Sequence, residues 1–376
     1  MENYFDDIRP YNDDEINATM HRITANPLFK NVATYIYPDK SLEDVKTMFC
    51  GFNSIHDFQI HVMYDVIMRI MEKSIKDFSY SGMEHLNTQN RYLFISNHRD
   101  IALDATLLQY ILNKEGHETS EISFGDNLMH GEIVVDLGKS NKMFKLVRGG
   151  SPREILNNSI KLSKYLRHCL YDKHQSAWIA QRNGRTKNGY DLTEKALVKM
   201  LNIGGNNDII SNISELNIVP MSVSYQYEPC DIQKARELYI SISQKYVKKP
   251  GEDLESILSG ILEPKGDVHY SFAAPITKDA LMQYESLDKN GQLTAISDLL
   301  DKRICLGYKL WNTNYIAYDI LNRTNKYSAH YSIRDREYFL GRMEQKISYI
   351  DIKDDKIKEI FLNIYAAPVM RLENQW

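Results

Sequence analysis

The sequence predicts an α/β protein, in which helices flank a mixed central sheet on both faces and an N-terminal helical subdomain precedes it. Two observations carry this prediction. From about residue 76 onward, short apolar segments of strand length alternate with longer helical segments, which is typical of a sheet covered on both faces. Before that point, apolar residues recur at helical spacing.

Residues 1–75 are predicted to form the helical subdomain. Residues 41–44, SLED, have the character of a capping box, which marks a helix start. Between residues 54 and 74, apolar residues recur every three or four positions, as on one face of a helix: Ile55, Phe58, Val62, Val66, Ile67 and Ile70.

Residues 76–290 are predicted to form the α/β domain, and residues 291–376 a helical region packed on it. The strand candidates are apolar or alternating segments: residues 78–84, 92–96, 121–124, 176–180, 218–225 and 269–273. Helices are predicted at about 105–113 and 153–171. Pro220 indicates an edge strand or a strand start, because proline cannot donate to a ladder. From about Leu299 the pattern is helical, charged and rich in tyrosine.

The composition narrows the classes of function. With 376 residues and 43% hydrophobic content the chain can bury a sizeable core. A net charge of −4 gives no basic excess for a polyanion, so no nucleic-acid partner is expected. The cysteines are far apart, without a CxxC pair, which favours a reducing cytoplasm over a disulfide framework: Cys50, Cys169, Cys230 and Cys305.

No targeting or spanning segment is predicted. The first residues, MENYFDDIRPYNDDEI, are acidic and lack the basic start and apolar centre of a signal peptide. No window approaches 18 uncharged apolar residues. The chain is therefore expected in the cytoplasm, free in solution or on a membrane surface.

The segment FISNHRDIALDATL, residues 94–107, places a histidine and two carboxylates directly after a buried strand. At a strand end, His98 could accept a proton from a substrate hydroxyl. Asp104, or alternatively Asp100, would orient the ring and stabilise the imidazolium. The competing interpretations are a structural histidine and an N-cap role for Asp100. A metal site is disfavoured, because no second cluster of ligand residues has suitable spacing.

Two later segments have the composition of phosphate sites. Residues 143–153, MFKLVRGGSPR, combine cations with paired glycines and a helix start, whose N-terminus favours anions. Residues 178–191, WIAQRNGRTKNGYD, follow a buried strand with cations and two glycines, without the order of a nucleotide P-loop. Taken singly, each segment is also typical of a solvated surface loop.

In this order, four segments resemble the glycerolipid acyltransferase superfamily, which includes glycerol-3-phosphate and lysophosphatidate acyltransferases. The family carries a histidine–aspartate box, an aromatic segment ending in arginine, a box with glycine and arginine, and a Val-Pro strand. The similar positions are Asn97-His98 with Asp104, residues 144–148, Asn183-Gly184-Arg185, and Val219-Pro220. The resemblance covers roughly residues 78–225.

The resemblance implies a fold like that of the glycerol-3-phosphate acyltransferases and an O-acyltransferase activity in phospholipid synthesis. The donor would be acyl-CoA or an acyl carrier protein, and the acceptor a hydroxyl of glycerol 3-phosphate or lysophosphatidate. His98 would act as general base, without a covalent enzyme intermediate. The implied phosphate-binding residues are Arg148, Gly184, Arg185 and Lys187, and the implied acyl or substrate pocket is formed by Phe144, Val219 and Pro220.

The resemblance also implies surroundings and partners. No cofactor and no metal would be needed. Because the acceptor or product is a lipid, the protein is expected at the inner face of the membrane as a peripheral protein. The lysine-rich residues 139–145 would attract anionic headgroups.

Two departures from the family pattern leave alternatives open. Five residues rather than four separate His98 from Asp104, so either aspartate remains a candidate partner. Arg182-Asn183 stand where the family usually carries a glutamate beside its glycine, so the acceptor could be another lysolipid, such as an aminolipid. A catalytically inactive lipid-binding protein is the third alternative, favoured if the extra residue misplaces the carboxylate.

Overall fold

The N-terminal part of the chain is helical up to Ser74. The computed structural model describes residues 4–129 and 131–374. The elements of this part are α1 (Asp13–Ala25), α2 (Phe29–Ile36), α3 (Leu42–Cys50), α4 (Ile55–Phe58), a π-helical turn (Gln59–Met63) and α5 (Tyr64–Ser74). Ser41 caps α3 by accepting a hydrogen bond from the backbone N–H of Asp44, as its sequence predicts.

Within the described ranges, seven strands form one mixed sheet. They are β1 (Ile75–Ser81), β2 (Leu93–Ser96), β3 (Glu121–Gly125), β4 (Met143–Leu146), β5 (Ala177–Ala180), β6 (Ile218–Tyr225) and β7 (Gly266–Phe272). Their order is β1-β7-β6-β2-β5-β3-β4. The five strands from β6 to β4 are parallel, whereas β7 is antiparallel to β6 and parallel to β1.

Helices cover both faces of this sheet. The helices that follow β2 are α6 (Leu103–Lys114), α7 (Glu132–Ser140), α8 (Pro152–Tyr171), α9 (Lys195–Ile203), α10 (Ile209–Ser214), α11 (Asp231–Ser241), α12 (Glu252–Leu262), α13 (Lys278–Met282), α14 (Lys289–Gly307), α15 (Asn312–Asn322), α16 (Ile333–Ser348) and α17 (Lys356–Asn374). Leu93 and Ile95 pack with α8, α9, α10 and α14, and Phe94 packs with α5 and α6. The predicted fold class, a mixed sheet with helices on both faces, is confirmed.

Pro220 lies in an inner strand, which corrects the expectation of an edge strand. It is the third residue of β6 and pairs with Ile95 of β2. The carbonyl of Pro220 accepts a hydrogen bond from Ala273, one residue beyond the last paired residue of β7, Phe272. In a strand, the N–H and C=O of one residue point to the same neighbouring strand. The N–H that Pro220 lacks would therefore point towards β7 at a position where the pairing with β7 has ended, so no ladder hydrogen bond is lost.

Residues 139–145 are only partly at the surface, which corrects their expected role as a lysine-rich face. Lys142 donates to the carbonyl of Thr119 and to the side chain of Gln175, and burial lowers the pKa of its ammonium. The segment leads into β4, an edge strand that the sequence pattern did not predict.

The carboxyl ends of the five parallel strands meet at one edge of the sheet, where ligands bind in open α/β folds. The segments that follow β2, β4 and β5 all start there, and they contain the candidate residues. Among the described helices, none is long and apolar enough to cross a lipid bilayer.

Candidate active site

His98 and Asp104 are in contact at the carboxyl end of β2. The Nδ1 atom of His98 lies 2.8 Å from Oδ2 of Asp104, which is the second residue of α6. The imidazole meets the ring of Trp178 edge-on at 5.7 Å between centroids. A carboxylate at Nδ1 favours the tautomer with its proton there, which leaves the lone pair of Nε2 for a substrate.

The carboxylate of Asp104 is fully buried and held by three further donors. Its Oδ2 accepts from the backbone N–H groups of Arg99 at 2.6 Å and Asp100 at 3.0 Å. Its Oδ1 accepts from the hydroxyl of Tyr225 at 2.7 Å, and burial raises the pKa of that hydroxyl, so it remains a donor. The turn between His98 and α6 thus accommodates five residues, rather than the four of the family pattern, between His98 and Asp104. The carboxylate of Asp104 still contacts the imidazole.

Asp100 has a different position. Its Oδ1 accepts from the backbone N–H groups of Ala102 and Leu103, at 2.9 and 2.8 Å, in the turn that leads into α6. Burial, and then the charge of Asp104, raise the pKa of this carboxyl. Asp104, not Asp100, is therefore the carboxylate in contact with His98.

A buried cluster of charges also fixes the loop, and the sequence pattern did not predict it. Arg99 donates to Asp191 at 2.5 Å and to Glu228 at 3.0 Å. Lys234 donates to Glu228 at 2.5 Å and to the carbonyl oxygen of Arg99 at 2.7 Å. All four side chains are buried, so two positive and two negative groups compensate one another in the interior.

Asn97 joins the end of β2 to β6. Its side-chain amide donates to the carbonyl of Val223 at 2.9 Å and accepts from the N–H of Val223 at 2.8 Å. The same amide donates to Asp191 at 3.2 Å. The residue before His98 is thereby fixed to the neighbouring strand.

A cleft of about 640 Å³ lies beside His98, and the four residues predicted to bind phosphate line it: Arg148, Gly184, Arg185 and Lys187. Arg185 is buried, and within the described structure its NH1 atom has no hydrogen-bond partner. The ammonium of Lys187 is already in an ion pair with Glu237. Gly184 has a φ of 75°, which a residue with a side chain rarely adopts. Arg182 also lines the cleft and was not among the predicted residues.

The three residues predicted to form the acyl pocket do not line this cleft. Phe144 is buried against Tyr165 of α8, and Val219 packs on the face of the sheet covered by α6. Pro220 is buried inside the sheet. The apolar wall of the cleft is formed instead by Leu146, Leu162, Ile179, Leu197 and Met200.

Among the described residues, no group of three or more histidine, cysteine or acidic side chains is arranged to hold a metal ion. Besides the oriented imidazole, guanidinium groups and the apolar wall, the cleft lining includes lysine side chains and the carboxylates of Asp7, Glu194, Glu237 and Asp253.

Comparison with known proteins gives little further information. No protein-family model matches the chain, and no curated protein sequence matches it. The chain is structurally similar to the 1-acyl-sn-glycerophosphate (LPA) acyltransferase PlsC from Thermotoga maritima, with a TM-score of 0.36 and 10% sequence identity. The similarity covers 76% of this chain and 92% of that chain. At this TM-score the likeness adds no support for a function, which must come from the residues.

Proposed function

We propose that the chain is an O-acyltransferase that moves a fatty acyl group from a thioester to a hydroxyl of a phosphate-bearing glycerol acceptor. The observation that supports it most strongly is the 2.8 Å contact between His98 and the buried Asp104 in the wall of a cleft. A carboxylate-oriented imidazole is suited to general-base catalysis at neutral pH.

The reaction follows from this arrangement. Nε2 of His98 takes the proton of the acceptor hydroxyl while the oxygen of that hydroxyl attacks the carbonyl carbon of the thioester. The tetrahedral intermediate then collapses, the carbon–sulfur bond breaks, and the leaving thiolate takes the proton from the imidazolium, which restores neutral His98. Asp104 stabilises the imidazolium that exists between these steps. General-base catalysis of this kind contributes about 10²–10⁴-fold to the rate.

The acceptor's phosphate would be held by Arg185 and Arg148. Charge-assisted bonds from guanidinium groups would fix the acceptor so that its hydroxyl faces His98, and such positioning lowers the barrier by several kcal/mol. The acceptor is glycerol 3-phosphate or lysophosphatidate. The fatty acyl chain of the donor would lie along the apolar wall that includes Leu162 and Met200.

The donor is acyl-CoA or an acyl carrier protein, and the reaction needs neither a cofactor nor a metal. Another lysolipid, such as an aminolipid, is the second candidate acceptor, because Arg182 and Asn183 stand in the third box where the family usually carries a glutamate. The proposed location is the cytoplasm, at the inner face of the membrane where these lipids are made.

One experiment tests the activity. The purified chain is incubated with acyl-CoA or an acyl carrier protein thioester and a panel of glycerol 3-phosphate, lysophosphatidate and a lyso-aminolipid, and products are identified by lipid mass spectrometry. We expect thioester consumption that depends on one acceptor and is lost in His98→Ala. Binding of the lipids without acceptor-dependent turnover would instead identify a lipid-binding protein.

A further inference from the structure

The helix α12 has its apolar face turned outward. Leu254, Leu258 and Leu262 recur every fourth residue, on one stripe of the helix, and are 61%, 48% and 60% exposed. The buried face carries the small residues Ser256 and Gly260. A surface helix of a globular protein has the reverse arrangement, with its large apolar residues facing the core.

The buried face of α12 carries small residues because the helix packs closely on the loop that follows His98. A Cβ atom added at Gly260 would clash with Oδ2 of Asp100. This contact explains the glycine but not the leucines, about half of whose surface is exposed. The three leucines extend over about 12 Å of helix.

The loop before α12 adds exposed apolar and basic side chains. Val247 is 76% exposed, and Lys245, Lys248 and Lys249 are exposed around it. Of the three acids in the first turn of α12, Glu252 accepts from Tyr246 and Asp253 pairs with Lys248 at 2.5 Å, whereas Glu255 is exposed. Within the described structure Lys245 and Lys249 form no ion pair and remain available to an anionic partner.

This surface is continuous with the cleft. Lys248 and Asp253 line the cleft, and Asn127 on its other side donates to Asp253 at 3.1 Å. Val147 and Ile155, which also line the cleft, are exposed as well. Exposed apolar side chains therefore occur both in the lining of the cleft and on α12, which contributes Asp253 to that lining.

We infer that α12 and its preceding loop dock on a lipid bilayer that carries anionic headgroups. The leucine stripe lies at the boundary between headgroups and acyl chains, and the lysines contact the headgroups. A flat stripe of leucines flanked by lysines fits a bilayer, which needs no shape-matched pocket. With α12 docked in this way, a lysolipid can pass from the bilayer into the cleft. This last step rests on the proposed acyltransfer.

The test uses the full chain and two kinds of vesicle, phosphatidylcholine alone and phosphatidylcholine with phosphatidylglycerol. The double variant Leu254→Glu/Leu258→Glu is compared with Ile333→Glu, which changes a 79% exposed isoleucine at the start of α16. We expect the wild type and Ile333→Glu to co-sediment with the anionic vesicles, and the double variant to bind about tenfold more weakly or worse. Thermal unfolding should be unchanged, because all three positions are exposed.

A second readout compares lysophosphatidate in vesicles with glycerol 3-phosphate in solution. The double variant should lose about tenfold more turnover on the embedded acceptor than on the dissolved one, whereas Ile333→Glu changes neither. Equal vesicle binding by the double variant and the wild type would overturn the inference. Failure of all vesicle binding, with an acyl carrier protein binding through the same leucines, would identify a protein-docking surface. Absence of turnover with every acceptor would refute the acyltransfer but leave the vesicle-binding result to stand or fall separately.

Discussion

The ammonium of Lys234 lies 2.7 Å from the carbonyl oxygen of Arg99, so a helix more than a hundred residues downstream holds the residue that follows His98. The same ammonium contacts Glu228, which also accepts from Arg99. The loop with the imidazole is thus fixed by a neutral group of four charges.

Lys234→Met should lower both turnover and stability. Loss of the lysine leaves the buried cluster with one excess negative charge, which is expected to cost about 3–5 kcal/mol of unfolding free energy. Adding Glu228→Gln restores the charge balance and should recover part of that loss. Denaturant unfolding and kcat of the single and double variants measure the effect. A double variant less stable than the single one would contradict this account.

Asp104→Asn should reduce kcat by about 10²-fold or more, because the amide no longer stabilises an imidazolium. Its free energy of unfolding should also fall by about 1–3 kcal/mol, since the single amide oxygen cannot accept both from the backbone N–H groups of Arg99 and Asp100 and from the hydroxyl of Tyr225.

Asp100→Asn is the matched control in the same loop. Its remaining amide oxygen can still accept from Ala102 and Leu103, and the side chain does not contact the imidazole. We expect kcat within about threefold of the wild type. If Asp100→Asn proves the inactive variant, the two aspartates must exchange their proposed roles.

Arg185→Ala should raise the acceptor's KM by about 10- to 150-fold with a smaller change for the thioester, because loss of one charge-assisted phosphate contact costs about 1.5–3 kcal/mol. Lys187→Ala should have a smaller effect, since the ammonium of Lys187 is already paired with Glu237. Steady-state kinetics with each substrate varied in turn distinguish these outcomes. An acceptor KM unchanged in Arg185→Ala would exclude this residue from phosphate binding.

His269 should make the protein sensitive to acid. Its ring nitrogens lie 2.9 Å from the hydroxyl of Ser79 and 3.1 Å from that of Ser81, so the neutral imidazole bridges β7 and β1. Burial, and then the charge of Lys309, lower its pKa from 6.5 to about 4. Because the folded pKa is depressed, the stability from the neutral ring is complete above pH 6.5 and is lost as pH falls towards 4.

The variant His269→Gln isolates this effect. Its Tm should be lower than that of the wild type at pH 7 but should decrease less between pH 7 and pH 4, as measured by differential scanning calorimetry. Parallel curves for the two proteins would show that His269 does not titrate in this range.

The sequence predicts well those elements whose apolar and polar residues follow a recognisable pattern over a few neighbouring positions. Residues 218–225 are apolar except for Ser222 and Ser224 and form β6 with those bounds. The position of His98 at a strand end was predictable because the polar Asn97 interrupts an apolar segment. The strand β4 was missed because it is only four residues long, includes Lys145 and continues into a basic loop.

The parts that could not be predicted depend on which strands become neighbours. Arg99 and Asp191 are 92 positions apart, and charged residues are rarely fully buried, so only the pairing of β2 with β5 brings them together. The position of a residue along its strand, near the cleft or deep in the core, could not be predicted either. Leu146, at the carboxyl end of β4, reaches the cleft, whereas Phe144, two residues earlier, stays in the core.

The close packing of Gly260 on Asp100 has an evolutionary consequence. A side chain at position 260 would clash with the carboxylate, so Gly260 cannot be replaced while Asp100 is present without moving α12 away from the loop. Sequences descended from a common ancestor with this chain should therefore show correlated substitution at these two sites. Any lineage that acquires alanine or a larger residue at 260 should carry a smaller residue than aspartate at 100.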